Sequence, residues 1–296
     1  MHNRDLAVVI CHFNWCRYKS QSRNLHRFIR YIRSMDIPIY GVELSLNVGF
    51  ETAGMDFFKK ITVPVEAILF QKEACINIAE KIVPEEYRKI AWIDHDIFFE
   101  ESDWYDRTSN LLEEYKLVQM YSECVRTNEA GRPYRSSPSF MRTLQNFDEN
   151  RHLGSRGGAW AARRELWKYG GLYPYCFLGG GDSMFVHAIF DTPMDDRLRS
   201  LTNMQMHENE KIYNDWKYCI KSYIHSNEVS YLPTKIYHEW HGNMQERQYK
   251  TRYDAFKEIT LSKMTIDKDG VLIVDDSADI HKSKILEYFK SRNEDS

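Results

Sequence analysis

The sequence has no pair of cysteines separated by two residues, no long hydrophobic run and no large excess of charge of one sign. Its six cysteines are scattered over 296 residues, which is typical of reduced, buried thiols and argues against a disulfide framework or a zinc ribbon. A pairing between two of them stays open. The longest apolar runs, 6–11 and 61–70, are far shorter than the roughly 20 residues that cross a bilayer. The net charge of −3 does not by itself indicate a nucleic acid or an anionic membrane as partner, and no signal-peptide pattern is present, so we expect a soluble, cytoplasmic protein.

Hydrophobic residues make up 43% of the chain and aromatic residues 14%, which is enough for one large α/β domain or two intimately packed lobes. In the first half, short apolar runs alternate with stretches in which apolar residues recur at helical spacing. The pattern predicts strands at 6–11, 37–46, 61–70 and 89–93, and helices at 20–35 and 73–82. This alternation indicates a largely parallel sheet covered by helices, in which ligands bind at the carboxyl ends of the strands.

The second half is less regular. Residues 128–151 are rich in Arg, Ser, Pro and Asn, which predicts a long, mobile loop. The pattern then predicts a strand at 159–162, helices at 164–168 and 184–190, helical stretches within 195–226, a strand at 229–237, a hairpin at 265–274 and a final helix at 282–290. No repeat or clear linker divides the chain, so residues 1–296 are predicted to form a single domain.

An acidic triplet, Asp94-His95-Asp96, directly follows the predicted strand 89–93. Two carboxylates one residue apart can project into one cleft if the backbone turns between them, and their oxygens suit Mn²⁺ or Mg²⁺. A solvated turn explains the same residues. The triplet alone leaves both interpretations open.

Two further motifs bear on that choice. His238 and His241 follow a predicted strand, and histidines at this spacing either reach one metal ion or lie at the surface. The segment Gly179-Gly180-Gly181-Asp182 allows close approach of a ligand to the backbone and delivers Asp182 at a helix start. Asp182 is then either a helix N-cap or a general base.

Six other residues are weaker candidates for binding a ligand. Two end the first strand, one lies on the second, two lie on the helix before the triplet, and one is a tryptophan that either stacks on a sugar or packs in the core; they are His12, Asn14, Glu43, Lys72, Asn77 and Trp160. Ion pairing or plain surface positions explain the polar ones equally well.

The order of these motifs resembles the GT-A fold of nucleotide-sugar glycosyltransferases, over roughly residues 6–253. The triplet is similar to the Asp-x-Asp of that family, and the segment 71–77 is similar to its helix that reaches toward the donor. The galactosyltransferase-like half is resembled by the motifs Gly157-Gly158-Ala159-Trp160, Gly170-Gly171-Leu172-Tyr173 and Gly179-Gly180-Gly181-Asp182, followed by the late histidines. Two departures are that the galactosyltransferases have an acid at the position of Gly181, and that the chain beyond residue 253 has no counterpart.

The resemblance implies a Rossmann-like, mixed and mainly parallel sheet flanked by helices. It divides the domain into a nucleotide-sugar-binding half at 1–122, an acceptor and catalytic half at 123–260, and a C-terminal hairpin and helix at 261–296. It implies an inverting transfer from a nucleotide sugar, with UDP as the most frequent carrier, and the loop 128–151 closing over the donor.

The resemblance also implies roles for the motif residues. Asp96 and His241, with or without His238, would hold Mn²⁺ or Mg²⁺. Asp94 would contact the donor ribose or a metal-bound water, His95 would be a spacer, and Asp182 would be the base. The remaining donor-side residues are His12, Asn14, Glu43, Lys72 and Asn77, and the acceptor-side residues are Trp160, Gly180 and Gly181.

The acceptor is open at this point. A glycan or a lipid-linked sugar is expected, and arginines at 126, 132, 135 and 142 and within 247–252 would suit a phosphorylated glycan or a hydroxylated nucleic-acid base if they are not simply solvated. Two other classes of protein compete: a metal-dependent phosphoesterase or deacetylase that uses the same Asp and His residues, and a non-catalytic carbohydrate-binding protein.

Overall fold

The computed structural model describes residues 4–47, 49–146, 154–192, 207–243, 245–246, 248, 252–253, 256, 261–274 and 279–295. The strands are β1 Leu6–Phe13, β2 Ile39–Ser45, β3 Phe58–Thr62, β4 Lys89–Ile93, β5 Ile97–Phe99, β6 Leu117–Gln119, β7 Glu123–Thr127, β8 Pro133–Pro138, β9 Ala159–Arg163, β10 Val229–Tyr231, β11 Lys235–His238, β12 Met264–Ile266 and β13 Leu272–Val274. The α-helices are α1 Lys19–Ser34, α2 Lys72–Glu80, α3 Trp104–Glu114, α4 Phe140–Gln145, α5 Gly181–Phe190, α6 His207–Tyr223 and α7 Asp279–Ser291.

The first strand explains the layered architecture, because its side chains alternate between two cores. Ala7 and Val9 pack on the face covered by α2, α5 and α6, whereas Val8 and Ile10 pack on the face covered by α1 and α3. A strand buried on both faces needs the continuous apolar run that the sequence has at this point.

Seven of the described strands form the main sheet, in the order β10-β6-β9-β4-β1-β2-β3. Neighbouring strands pair in parallel except at β9, which runs antiparallel to both β4 and β6. The predicted mixed, mainly parallel sheet flanked by helices is confirmed. The parallel strands β1, β2 and β4 place their carboxyl ends at one edge, where the first candidate motifs lie.

A second sheet of four described strands, in the order β5-β11-β7-β8, brings the two halves of the chain together. In it, β11 is antiparallel to β5, with His238 opposite Ile97, and parallel to β7, with His238 opposite Arg126. Since Ile97 directly follows the acidic triplet, this pairing places the late histidines beside it.

Two predicted strands have different bounds in the structure, and a proline is involved in each case. The third strand ends at Thr62, before Pro64, and residues Val65–Ala67 form a single 3₁₀ turn where a strand was predicted. The strand predicted at 229–237 is two strands in different sheets, β10 and β11, on either side of Pro233. Proline cannot donate a ladder hydrogen bond, so each strand ends near it.

The prediction of a long loop at 128–151 is wrong for its described part. Strand β8 pairs with β7, and α4 begins after Ser139, whose hydroxyl accepts a hydrogen bond from the Arg142 N–H. The polar composition misled the prediction because β8 is an exposed edge strand with little apolar content. Residues 147–153 lie outside the described residues, as do residues 195–206 of the predicted helical stretch.

The C-terminal hairpin and helix are confirmed as β12, β13 and α7. Apolar side chains from this region, including Leu272, Ile285 and Phe289, pack with Leu69 and Leu178 in a separate small core. The tail therefore packs against residues from both earlier parts of the chain.

None of the helices in the described part of the chain combines the length and the apolar character that a membrane crossing requires.

Candidate metal and ligand site

One cavity of about 580 Å³ lies at the carboxyl ends of β1 and β4. Its wall contains the acidic triplet, Lys72, Asp182 and both late histidines, together with aromatic and arginine side chains from several elements. Residues that are far apart in the sequence are thus gathered in one place, at the edge of the sheet where open α/β folds bind ligands.

Asp96, His238 and His241 form a candidate metal site. One ligand atom from each lies within 4.8 Å of the others. The Asp96 Oδ2 atom is 2.9 Å from Nε2 of His241 and 3.7 Å from Nε2 of His238, while the buried Oδ1 atom has no hydrogen-bond partner among the described residues. A buried carboxylate oxygen without a partner is costly, and a cation would satisfy it. The donor set therefore fits a divalent ion.

The charge balance of this cluster supports the same interpretation. Burial raises the pKa of Asp96, but the two histidines outweigh burial and hold that pKa well below its usual range. An ionised carboxylate beside imidazole nitrogens is the form that binds a metal.

The triplet forms a turn whose two carboxylates line the cavity. The Ile97 N–H donates to the Asp94 carbonyl oxygen over 3.0 Å, which closes a tight turn, and the Asp94 N–H donates to the Gly158 carbonyl oxygen over 2.8 Å. The turn separates the two carboxylates, so that Asp96 faces the histidines and Asp94 faces Lys72.

Lys72 joins the two other acids of the cavity. Its Nζ atom is 2.8 Å from Oδ1 of Asp94 and 3.1 Å from Oδ2 of Asp182. Burial lowers the pKa of Lys72, but the two carboxylates outweigh burial and raise it well above its usual value. Burial also raises the pKa of Asp94 to about 6, an effect that Lys72 opposes and Asp182 increases. The lysine is therefore a permanent positive charge between two carboxylates.

Asp182 is not the N-cap of its helix. Helix α5 begins at Gly181, and the cap position is Gly180, whose φ of 97° is accessible mainly to glycine. Gly157 leaves room for the Asp182 side chain, because a Cβ at Gly157 would lie 2.7 Å from Oδ2 of Asp182. The carboxylate thus faces the cavity and Lys72, in place of the backbone N–H groups of its own helix.

The glycine at 181 has a steric cause. A Cβ at Gly181 would lie 1.9 Å from Oε1 of Glu73, a buried side chain on α2. Burial raises the pKa of Glu73 to about 8, so this carboxyl group is mostly neutral at neutral pH. An acid from another helix therefore occupies the space that a side chain at 181 would need.

Replacing Gly181 by alanine should therefore destabilise the protein although Gly181 is helical and alanine favours helices. We expect Gly181→Ala to lower the free energy of unfolding by about 1–3 kcal/mol, because Glu73 has to move in a packed region. Urea unfolding measures this change. Gly54→Ala is the matched control, since a Cβ at Gly54 meets nothing within 4 Å. Equal stability of the two variants would contradict the steric explanation.

Three predicted donor-binding residues do not line the cavity. His12, Asn14 and Glu43 instead build the loop that follows β1 and β2: Nε2 of His12 is 3.3 Å from Oε1 of Glu51, Asn14 donates to the same oxygen over 3.1 Å, and Glu43 accepts from the N–H groups of Glu51 and Thr52. Burial raises the pKa of Glu51, but His12 and its other donors outweigh burial and hold that pKa at about 2. Side chains alternate along β1, so Cys11 and Phe13 face the cavity and His12 faces away.

Two further predictions require correction. Asn77 lies outside the cavity wall, where its side chain donates to the Leu172 carbonyl oxygen over 2.7 Å and accepts from the Leu172 N–H over 2.9 Å. Trp160 is only 1% exposed, and its Nε1 atom donates to the Arg156 carbonyl oxygen. Asn77 braces a loop and Trp160 is a core residue, and neither side chain lines the cavity.

The two predicted acceptor-side glycines differ in their position relative to the cavity. Gly180 lines the cavity, whereas Gly181 lies behind it against Glu73. His95, which was predicted to be a spacer, also lines the cavity, with its Nε2 atom 3.5 Å from Nδ1 of His12. Burial lowers the pKa of His95 to about 4, which keeps this ring neutral at neutral pH.

Several residues of the cavity wall were not among the candidate residues predicted from the sequence. Phe13 and Phe70 meet edge to face with ring centroids 5.3 Å apart, and the C-terminal segment contributes Phe289, Arg292 and Glu294. The position of Phe13 in an alternating strand could have indicated the first of them. The C-terminal residues could not have been found, since nothing in a helical pattern shows which distant surface it packs on.

No protein-family model matches this sequence, and no curated protein matches it either. Among solved structures, the catalytic domain of Drosophila β1,4-galactosyltransferase 7 in complex with xylobiose is 13% identical, with 95% of this chain and 98% of that chain covered and a TM-score of 0.39. A mutant of the same enzyme in complex with manganese, UDP-Gal and xylobiose is 14% identical, with the same coverage of 95% and 98% and a TM-score of 0.41. Mannosyl-3-phosphoglycerate synthase from Rubrobacter xylanophilus is 10% identical, with coverage of 92% and 85% and a TM-score of 0.40.

These similarities concern the fold and do not assign a role to any residue of this chain. The fold itself is GT-A-like, as predicted: within the described ranges, β9 alone runs against the otherwise parallel main sheet, helices cover both faces, and the acidic triplet follows the central strand β4.

Proposed function

We propose that this protein is a metal-dependent glycosyltransferase that moves a sugar from a nucleotide diphosphate sugar, with UDP as the expected carrier, to a hydroxyl acceptor with inversion at the anomeric carbon. The observation that carries the proposal is one cavity in which a candidate metal site lies beside two carboxylates joined by Lys72. In this arrangement a candidate diphosphate-binding site and a candidate general base would lie next to each other in the cavity.

Asp96, His238 and His241 would hold the metal ion. Mg²⁺ prefers oxygen ligands and retains several waters, so two imidazole nitrogens favour Mn²⁺ over Mg²⁺. When bound, the ion acts as a Lewis acid that offsets the charge on the departing diphosphate.

The donor would lie along the wall from the aromatic residues to Lys72. Phe13 and Phe70 give one part of the cavity an apolar, aromatic surface that suits a nucleobase, and Asp94 is placed to accept a hydrogen bond from a ribose hydroxyl. The Lys72 ammonium adds positive charge close to where the phosphates would bind.

Asp182 would be the general base. It pairs with Lys72 and is partly open to the cavity, with 24% of its side chain exposed. As the acceptor hydroxyl attacks the anomeric carbon from the face opposite the diphosphate, the proton of that hydroxyl passes to the Asp182 carboxylate. The bond from the anomeric carbon to the diphosphate oxygen breaks in the same step, which inverts the configuration. Lys72 holds the carboxylate in position.

The three predicted segments would act as one catalytic domain. The first, 1–122, supplies Asp94 and Asp96; the second, 123–260, supplies Asp182 and the two histidines; and the third, 261–296, supplies part of the cavity wall. A site assembled from all three favours a single domain over separable lobes.

The acceptor would be a glycan or a lipid-linked sugar, with a hydroxylated nucleic-acid base as the other candidate. Arg126 and Arg135 stand directly opposite each other in β7 and β8, and within the described ranges neither makes an ion pair. Like charges in this arrangement are destabilising, so an anionic group on the acceptor, such as a phosphate, would relieve the repulsion beside the cavity.

The competing enzyme class has less support. A two-metal hydrolase needs a second cluster of ligands, and the described residues contain one such group, Asp96 with His238 and His241. A carbohydrate-binding protein without activity would have no need of the Lys72–Asp182 pair beside a metal site.

Thermal denaturation with a panel of nucleotides and metals tests the proposal. We expect UDP together with Mn²⁺ to stabilise the protein strongly, and either alone to have little effect, because the diphosphate and the metal bind as a unit. Saturation at about 100 times the dissociation constant corresponds to roughly 2.7 kcal/mol. GDP, TDP and CDP with Mn²⁺ are the matched controls, and excess EDTA should abolish the shift. No response to any nucleotide would sink the proposal.

A further inference from the structure

The C-terminal segment after α7 reaches the metal site, although nothing in the sequence connects them. Tyr18, at the start of α1, binds both the end of α7 and the segment after it. Its hydroxyl donates to the Phe289 and Lys290 carbonyl oxygens in the last turn of α7, and it accepts from the Asn293 N–H over 3.1 Å. Asp295 accepts hydrogen bonds from the N–H groups of Lys19 and Ser20, at 2.9 and 2.7 Å. The last residues of the chain therefore cap a helix that has no side-chain cap and no acid in its first turn.

This docking buries Glu294 against one of the candidate metal ligands. Glu294 is 1% exposed, and its Oε2 atom is 3.3 Å from Nδ1 of His241 and 2.5 Å from Nε2 of Gln21. Its Oε1 atom is 2.5 Å from Arg292. A carboxylate removed from water between two hydrogen-bonding side chains and an arginine ion pair is held in one orientation.

The backbone beside His241 is shaped to accept this segment. Gly242 has a φ of 88°, and a Cβ at this position would lie 2.7 Å from Cα of Glu294 and 3.2 Å from the Asn293 carbonyl oxygen. The glycine thus permits both the turn and the close approach of the C-terminal backbone. This contact is independent of the side-chain hydrogen bonds.

The contact between Glu294 and His241 resembles one that metal-binding histidines commonly make. An imidazole that donates its Nδ1–H to a carboxylate keeps Nε2 unprotonated, is fixed in orientation and becomes a stronger ligand. In this protein, Nε2 of His241 points to Asp96, at 2.9 Å, while Nδ1 points to Glu294.

We propose that Glu294 is a positioning residue of the metal site, which acts by holding His241, and that the C-terminal segment therefore forms part of that site. The inference rests on the proposed metal-binding function. It adds a contribution from a region of the chain that supplies neither a metal ligand nor the base.

The test is the affinity for Mn²⁺ without nucleotide, measured from the electron paramagnetic resonance signal of free Mn²⁺. We expect Glu294→Gln to weaken Mn²⁺ binding by about 10–100-fold, the usual effect of removing such a partner. The nitrogen coupling of the His241 ring in pulsed spectra of bound Mn²⁺ should be lost, as in His241→Ala. A merely structural role for Glu294 would leave that coupling unchanged in protein that remains folded.

Asp295→Asn is the matched control. It removes one negative charge from the adjacent residue, keeps an oxygen that caps α1, and should leave Mn²⁺ affinity unchanged. Gly242→Ala disturbs the contact between Gly242 and the backbone of Glu294 and should also weaken Mn²⁺ binding. This variant tests the role of Glu294 if Glu294→Gln does not fold.

The role of Glu294 would be overturned if Glu294→Gln kept the wild-type Mn²⁺ affinity and the wild-type nitrogen coupling. If Glu294→Gln is unfolded, a wild-type Mn²⁺ affinity in Gly242→Ala would overturn it. A wild-type protein that binds no Mn²⁺ would give a different pattern and would overturn the proposed metal site itself.

Discussion

Asp182→Asn should release UDP from the donor at a rate reduced by about 10²–10⁴-fold, while donor and metal binding stay close to wild type. The amide has nearly the same shape as the carboxylate and its oxygen can still accept from Lys72, which lies 3.2 Å from Oδ1 in the wild type. What it cannot do is take the proton of the attacking hydroxyl, and a loss of this size is typical of a missing general base. The measurement is UDP release at saturating donor and Mn²⁺, combined with the thermal shift produced by both.

Asp191→Asn is the matched control for that experiment. Asp191 ends the same helix and also pairs with lysines, Lys217 and Lys221, but it lies outside the cavity. Its substitution should leave UDP release unchanged. If Asp182→Asn turned over within about tenfold of the wild-type rate, Asp182 would not be the base.

Lys72→Met should destabilise the protein strongly. Removing the ammonium leaves the carboxylates of Asp94 and Asp182 facing each other with no cation between them. Breaking a buried ion pair costs about 3–5 kcal/mol, and because these side chains are 34% and 24% exposed we expect the lower end of that range. Urea unfolding in the presence of EDTA measures the loss of unfolding free energy without interference from metal.

The loss should depend on pH in a defined direction. Without Lys72, no cation opposes the burial and the nearby Asp182 carboxylate that raise the pKa of Asp94, so Asp94 destabilises the fold when it is ionised. Lowering the pH protonates Asp94 and should reduce the difference between Lys72→Met and wild type. Asp94, whose pKa burial already raises to about 6 in the wild type, places the start of this recovery near or above pH 6.

Lys60→Met is the control for Lys72→Met. Lys60 is half-buried on β3, and its ammonium donates to carbonyl oxygens, of which that of Met55 is 2.8 Å away. Its removal leaves no facing carboxylates, so the change should be below about 1 kcal/mol and independent of pH over the same range. A similar loss in both variants would mean that the charge between Asp94 and Asp182 is not what stabilises the cavity.

The sheet could be predicted because burial on both faces requires continuous apolar runs. The strand at 89–93 and the helix of the segment 20–35 have nearly the bounds that their patterns predict. The location of the candidate metal residues could be predicted for a related reason: Asp96 and His238 both adjoin short apolar stretches, and strand ends are where ligands bind in such folds. That the two would meet depends on the antiparallel pairing of β5 with β11, which no local pattern contains.

The incorrect site predictions have the same physical origin. The position of His12 at a strand end was correct, but the direction of its side chain follows from the alternation along β1, which turns it away from the cavity. Glu43 and Asn77 lie on elements that border the cavity, but their side chains stabilise loops. Their hydrogen bonds go to backbone groups of residues 51–52 and 172. A polar residue near a site satisfies whichever donors or acceptors the fold brings to it.

The acidic triplet, the late histidines and Asp182 after its glycines are local features. Their residue types, their spacing and their positions at the ends of elements depend on a few neighbouring residues, so the sequence by itself determined them. Which atoms of those residues meet was decided by the tertiary structure. Lys72 between Asp94 and Asp182, Glu73 in the space beside Gly181, and Glu294 behind His241 are contacts between segments at least 22 residues apart, as the separation of Lys72 from Asp94 shows. Contacts of this kind depend on how whole helices and strands pack, and that information is distributed over the entire chain.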